Sequence, residues 1–251
     1  MPNTNNQHLY GRKIIITGAA SGIGFAVARL FEEQGSTLFL LDLNTKGLGT
    51  ISQSPRVFAM DVDVTSEQAV AKAVAAAADV MGGIDGIVNA AGIIRLGALE
   101  DTQLGDWQSQ FDVNVTGPFM LCRAALPWLR AAATATIVNI ASAQALRPAG
   151  ASAGYAASKA ALVTLSKALA AELAPSVRVN AVCPGIVDTP MVRQVNASAG
   201  KPDTTPSLKD YALGRMANAD EIAAAILFLT GSDSSFITGI AMAVDGGRSF
   251  H

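Results

Sequence analysis

Histidine, cysteine and charge are all scarce in this chain of 251 residues. The only two histidines, His8 and His251, lie at the termini, so neither a buried Ser-His-Asp triad nor a histidine-based zinc site has residues to build it. No metal is expected. The two cysteines, Cys122 and Cys183, sit in apolar contexts where a small hydrophobe is a simpler role than a disulfide or a reactive thiolate. That usage fits a reducing, cytoplasmic compartment. Charged residues make up 15% of the chain, and 18 Lys plus Arg against 20 Asp plus Glu give a net charge of -2. Neither a polybasic surface for nucleic acid nor an acidic tail can be assembled from that balance. No apolar run approaches the ~20 residues needed to span a bilayer, and the start "MPNTNNQHLYGRK" lacks the charged-then-apolar pattern of a signal peptide. A soluble chain with no membrane or nucleic-acid partner is expected.

What is abundant is apolar surface, since half the residues are hydrophobic, enough for one large core. Short β-rich runs ("KIIIT", "TLFLLD", "RVFAMDV", "GIVNA", "ATIVNIA", "VRVNAV", "GIAMAVDG") alternate with longer helical patterns. These runs are apolar throughout, as strands are when helices cover both sheet faces. The alternation predicts one α/β domain over 1–251, a Rossmann-like, doubly wound sheet of about seven parallel strands. One segment breaks the pattern. The stretch at about 188–212, "DTPMVRQVNASAGKPDTTPSLKDYA", is polar and rich in Gly, Pro, Ser and Thr, and its length predicts a lid over a binding site.

Two features near the start point to a nucleotide. "TGAASGIG" at 17–24 follows the first strand and opens the first helix. Gly18, Gly22 and Gly24 permit a tight turn and close approach of backbone to a pyrophosphate, and the helix start supplies free N–H donors. The absence of a GK[ST] ending argues against a P-loop. The second strand ends in Asp42, where a carboxylate can accept from both adenosine ribose hydroxyls and repel a 2′-phosphate. At effective ε of about 20 that repulsion is roughly 4 kcal/mol per charge pair at contact. Neither Ser21 nor Leu43 supplies a cation to reverse the preference, so NAD is favoured over NADP.

The third feature is "YAASK" at 155–159, which reads as helix and places Tyr155 and Lys159 on one face. Alone, the pair is better explained by amphipathic side chains covering a buried stripe. Joined to Gly18-x3-Gly22-x-Gly24, "NAAG" at 89–92, Asn114, Ser142, "PGIVDT" at 184–189 and "VDGG" at 244–247, it resembles the short-chain dehydrogenase/reductase family over nearly the whole chain. Ala90 departs from the second Asn common in that family. The resemblance implies hydride exchange between NAD and a secondary alcohol or ketone, with Asn114, Ser142, Tyr155 and Lys159 as the catalytic set. It makes Tyr155 the general acid or base, has Ser142 hold the substrate oxygen, and puts Lys159 on the nicotinamide ribose. At about 5 Å the lysine charge is expected to contribute ~3 kcal/mol, lowering the Tyr155 pKa by about two units. Cofactor contacts implied are Gly18, Ser21, Gly22, Ile23, Gly24, Asp42, Leu43, Asp63, Val64, Asn89, Ala90, Ala91, Gly92, Tyr155, Lys159, Pro184, Gly185, Val187 and Thr189. For Asp63 a helix N-terminal charge remains an alternative, given the helix starting near Ser66.

Asn114 carries a clue of its own. In a regular helix its carbonyl would accept from residue 118, which is Pro and has no N–H, leaving it free to bind a proton-relay water. A packing kink at Gly117-Pro118 is the alternative. Substrate contacts are expected from Ser142, Gln144 and Tyr155, with Met191 and Val192 as an apolar wall. Arg95 and Arg147 read as solvated surface charges, so no anion site is expected. The apolar helix at 105–132 fits a subunit interface, and the family resemblance implies a homo-oligomer, tetramer or dimer. Two other functions compete: an NADPH-dependent reductase of a carbonyl or 3-oxoacyl thioester, which Asp42 opposes, and a non-catalytic dinucleotide-binding protein, which has no need of a proton-transfer set.

Overall fold

The structure, a computed structural model, describes residues 8–198 and 207–249. Seven strands form one all-parallel sheet: β1 (Lys13–Thr17), β2 (Thr37–Asp42), β3 (Val57–Asp61), β4 (Gly86–Asn89), β5 (Ala135–Ile140), β6 (Val177–Pro184) and β7 (Ala241–Val244). Their order across the sheet is β3-β2-β1-β4-β5-β6-β7. The winding reverses between β1 and β4, the switch point at which doubly wound sheets open a crevice beyond the carboxyl ends of their strands. Thr17 pairs in register with both Leu41 and Asn89 there. Among the described residues seven α-helices accompany the sheet: α1 (Gly22–Glu33), α2 (Glu67–Met81), α3 (Leu104–Phe111), α4 (Gly117–Ala131), α5 (Ala153–Leu173), α6 (Pro190–Ser198) and α7 (Ala219–Thr230).

Although the strands are apolar throughout, their side chains alternate between two cores, as the two-residue period of a strand requires. Ile15, Ile87, Ile137 and Val179 face α2, α4 and α5, packing with Val74, Leu121 and Leu173. Ile14, Ile16, Val88, Val138 and Val182 face α1 and α7, packing with Phe31 and Ile226. Both layers are closed by helices over the central strands, so β1, β4, β5 and β6 have no solvent face to mark in sequence, while the edge strands β3 and β7 keep exposed positions.

Two helical segments differ from expectation. The single helix expected over 105–132 is two, α3 and α4, joined by a π-helical turn at Asp112–Thr116 in which the Gly117 N–H donates to the Asp112 carbonyl, five residues back. Pro118 cannot donate one residue later, and the widened turn carries the chain past that missing donor. The second is α6, which lies in the segment read as an irregular lid. Pro190 opens it, at the position where a missing N–H costs a helix nothing. Residues 199–206 of that segment lie outside the described residues. No helix among the described residues is long and apolar enough to cross a membrane.

Candidate active site

A cleft of about 540 Å³ opens along the carboxyl ends of β1, β2, β4, β5 and β6. That is within the range of small-molecule sites. Its first wall is the turn between β1 and α1. Gly18 has φ +63, and a Cβ there would lie 2.7 Å from the backbone of Ala91; one on Gly24 would lie 2.1 Å from the Gly18 carbonyl oxygen. Only glycine lets these two backbones pass so closely. Ser21 makes no side-chain cap on α1, so N–H groups of the first helical turn are left for a ligand at the cleft. Thr17, not singled out in the sequence, holds the facing turn: its hydroxyl accepts from the N–H groups of Ala90 and Ala91, both at 3.1 Å.

Asp42, at the end of β2, accepts from the Ala20 N–H at 3.0 Å and the Asn44 N–H at 3.3 Å, and lines the cleft beside Leu43. Asp63 and Val64 line it further along. Asp63 accepts from both the N–H and the hydroxyl of Thr65, while Ser66 caps α2 by accepting from Ala69. Helix capping therefore falls to Ser66. Asn89 is a correction. Its side chain turns into the sheet, donating to Asn139 at 2.7 Å, and Asn139 in turn donates to Ser166 at 2.8 Å. At 2% exposure it braces β4 against β5 and α5 from inside, while Ala90, Ala91 and Gly92 form the cleft wall. A nicotinamide dinucleotide fits this half on two structural grounds: a cradle that any Cβ would fill, and a carboxylate at the end of β2.

In the other half, Ser142 follows β5 in extended conformation and accepts from the Gln144 N–H at 3.1 Å. Tyr155 and Lys159 stand one turn apart at the start of α5, both buried and both on the cleft. Ser142 and Tyr155 line the same wall of the cleft. Lys159 Nζ donates to the Ile140 carbonyl at 2.8 Å and lies 5.9 Å from the centroid of the Tyr155 ring. Burial pushes the Tyr155 phenol above its ordinary value, and the Ser142 side chain only partly offsets this. The expected lysine-driven lowering is thus not found in the protein alone. The reason is that burial also pulls Lys159 down, to about 8, and its ammonium is directed at a backbone carbonyl. Desolvation wins over a weakened charge.

Asn114 lies in the π turn, fully buried. It does not reach the cleft surface. Its amide oxygen accepts from the Ile93 N–H at 2.9 Å while its NH2 donates to the Ile93 carbonyl and to Ser158, each at 3.0 Å. Ser158 donates to the Tyr155 carbonyl at 2.8 Å. The serine of "YAASK", read only as a spacer, therefore ties the tyrosine's turn to Asn114. A Cβ on Gly92 would sit 3.2 Å from both Asn114 Oδ1 and Lys159 Nζ, which locates the three together.

Gln144 lines the cleft, its amide oxygen accepting from Ala149 at 2.7 Å. Met191, Val192 and Val195 of α6 form an apolar wall above it. Pro184, Gly185, Val187 and Thr189 follow β6 along the same cleft, and Thr189 faces Gly22 across it. Arg95 is exposed, 3.7 Å from Asp106. Two residues that sequence reasoning missed, Tyr211 and Arg248, complete the lining. Each is far in sequence from the motifs, and "VDGG" drew attention only up to Gly247. Both cysteines are free and buried, which raises Cys122 to about 12 and Cys183 to about 11, so they stay neutral thiols.

Known proteins are similar to this chain over nearly its whole length. The family described as enoyl-(acyl carrier protein) reductase matches residues 18–249. D-threitol dehydrogenase of Mycolicibacterium smegmatis is 39% identical over 95% of this chain and 93% of its own. Among solved structures, a short-chain dehydrogenase/reductase of Brucella melitensis, titled a glucose/ribitol dehydrogenase, is 36% identical with a TM-score of 0.90, covering 98% of this chain and 100% of that one. A 3-ketoacyl-(acyl-carrier-protein) reductase from Brucella melitensis, solved with NADH, is 32% identical with a TM-score of 0.88, covering 96% and 100%. With its parallel seven-stranded sheet, glycine turn and Tyr155–Lys159 pair, this chain belongs to the short-chain dehydrogenase/reductase family of oxidoreductases.

Proposed function

We propose that the protein is an NAD-dependent dehydrogenase interconverting a secondary alcohol and a ketone. The observation that carries this reading is the convergence of Ser142, Tyr155 and Lys159 on one cleft wall, the last two one helical turn apart and all three buried. A protein that only held a nucleotide would have no use for a buried serine, phenol and amine gathered at one place. The glycine turn, Asp42, Asp63 and the 184–189 segment hold the dinucleotide, and the carboxylate of Asp42 excludes a 2′-phosphate, favouring NAD. Bound there, a nicotinamide dinucleotide supplies hydride donation and acceptance.

The chain's own residues move the proton and orient the substrate. Ser142 fixes the substrate oxygen beside the Tyr155 hydroxyl. Protonated at neutral pH, Tyr155 is ready as the acid for ketone reduction and becomes the base for alcohol oxidation as pH rises. Lys159, pulled down to about 8 by burial, would hold the nicotinamide ribose of a bound dinucleotide by donating from its amine. The Asn114 carbonyl, facing a proline that cannot donate, holds a water that links Lys159 to solvent. Segment 188–212 serves as a lid whose α6 residues close on the substrate. Exposed Leu104, Trp107 and Phe119 on the α3–α4 segment support assembly as a homo-oligomer, and the free buried cysteines suit the cytoplasm.

The test is NADH formation from a panel of secondary alcohols. Turnover is expected with NAD in the wild type and at least a thousandfold slower in Tyr155→Phe. Undiminished activity in that variant would remove Tyr155 from the mechanism.

A further inference from the structure

Four charged side chains line the cleft: Asp42, Asp63, Lys159 and Arg248. The first three have roles above, and Arg248 does not. It is 6% exposed, as buried as a core residue. Of its five N–H donors, the only bond formed among the described residues is from Nη1 to the Arg147 carbonyl, at 2.7 Å, and its guanidinium carbon stands 5.9 Å from the centroid of the Tyr211 ring. Among the described residues it has no ion pair. The carboxylates close by are committed elsewhere: Asp245 accepts the backbone N–H groups of Gly247, Arg248 and Ser249, and Asp210 lies 3.8 Å from Arg147.

Two partly buried arginines show how unusual this is. Arg12 donates to Asp85, Thr136 and the Thr230 carbonyl; Arg178 donates to Ser234 and the carbonyls of Leu229, Gly231 and Ile237. Those two are satisfied by the protein. Among the described residues no fully buried side-chain nitrogen lacks a partner, so the spare donors of Arg248 are not sealed inside but meet the cleft that the residue lines. A cation removed from bulk water, short of a counter-ion and facing a cavity carries a desolvation cost that an anion in that cavity would offset.

We propose that Arg248 binds a carboxylate, phosphate or sulfonate carried by the substrate at the end remote from its carbinol. The substrate is then a small aliphatic hydroxy acid or its phosphate or sulfonate counterpart. Met191, Val192 and Val195 flank its methylene spacer, and the NH2 of Gln144, whose oxygen is taken by Ala149, adds a donor. This inference rests on the dehydrogenase reading for the other end of the molecule. It also reverses the expectation from Arg95 and Arg147 that the site has no anion pocket.

The experiment compares kcat/KM with NAD for secondary hydroxy carboxylates, phosphates and sulfonates of one to five methylene spacers against their neutral methyl esters, in wild type, Arg248→Lys and Arg248→Met. In parallel, calorimetric titration with butanesulfonate, butyrate and butyl phosphate measures anion binding without turnover. The best anionic alcohol is expected to exceed its ester in the wild type. The anion-to-ester ratio should fall about 10- to 150-fold in Arg248→Met and less in Arg248→Lys, the range of a lost charge-assisted bond. Which anion class leads identifies the headgroup. Turnover of esters with no anion preference, a ratio unmoved in Arg248→Met, or anion binding equal in both proteins overturns the proposal and leaves the dehydrogenase standing. Arg248-dependent anion binding with no oxidation of any alcohol supports the anion site and removes the dehydrogenase instead.

Discussion

The two edges of the sheet use their cations in opposite ways. At the edge where the strands begin, Arg12 and Arg178 are surrounded by acceptors, and Arg12 reaches Asp85 at 2.6 Å. At the edge where they end, Lys159 and Arg248 are buried with one hydrogen bond each. The first edge staples strands and helix ends together. The second leaves donors unspent beside a cleft. Saturation, more than burial or charge, separates a structural cation from one kept for a ligand.

That contrast can be broken most sharply at Tyr155. Tyr155→Phe removes a proton carrier from the second edge without removing volume, and is expected to cut kcat at least a thousandfold while the melting temperature holds within a few degrees. The opposite pattern is expected of Arg12→Met at the first edge. Burial already pushes the Asp85 carboxyl up despite its arginine, and without Arg12 the carboxylate is stranded. A stability loss of about 3 to 5 kcal/mol in urea titration at pH 7 is expected, with turnover per folded molecule unchanged. Acidification should narrow that loss as Asp85 protonates.

Asp42→Ala should shift the ratio of kcat/KM for NAD over NADP towards NADP by at least tenfold, the order of one relieved charge contact. A ratio that stays put would mean that the Ala20 and Asn44 N–H groups, and not a ribose, are the partners of Asp42. The smallest effect is expected at Lys159, and it depends on pH. The folded amine titrates at about 8 against 10.5 in the unfolded chain, so the unfolded state binds the extra proton between those values and stability rises with pH across that window. Below about pH 8 the buried ammonium costs its full penalty. Lys159→Met should therefore gain most on the wild type at pH 7, by a few degrees in the melting temperature, and the gain should shrink by pH 10. A constant difference would show that its amine does not change charge there.

Much of this was legible in the sequence because it is written in local chemistry. Gly18, Gly22 and Gly24 announce a turn that no side chain could occupy, and seven apolar runs announce a doubly covered sheet. Tyr155 and Lys159 share a face wherever that stretch is helical. The proline at 118 signalled a disturbed hydrogen bond at Asn114, although the form it takes, a π turn, followed from packing. Other features were hidden. Asn89 sits in a motif that reads as cofactor contact, yet its partner Asn139 is 50 residues away and only strand pairing brings them together. The same holds for Thr17 beneath Ala90, and for Ser158, whose value depends on an asparagine 44 residues earlier.

Sequence by itself determined the fold class, the glycine cradle, the acidic end of β2 and the spacing of phenol and ammonium, since each depends on residues close together in the chain. Tertiary structure alone decided the direction of the Tyr155 and Lys159 titrations and the placement of Arg248 on the cleft. Desolvation and saturation are properties of everything packed around a group, and no window of sequence contains those neighbours.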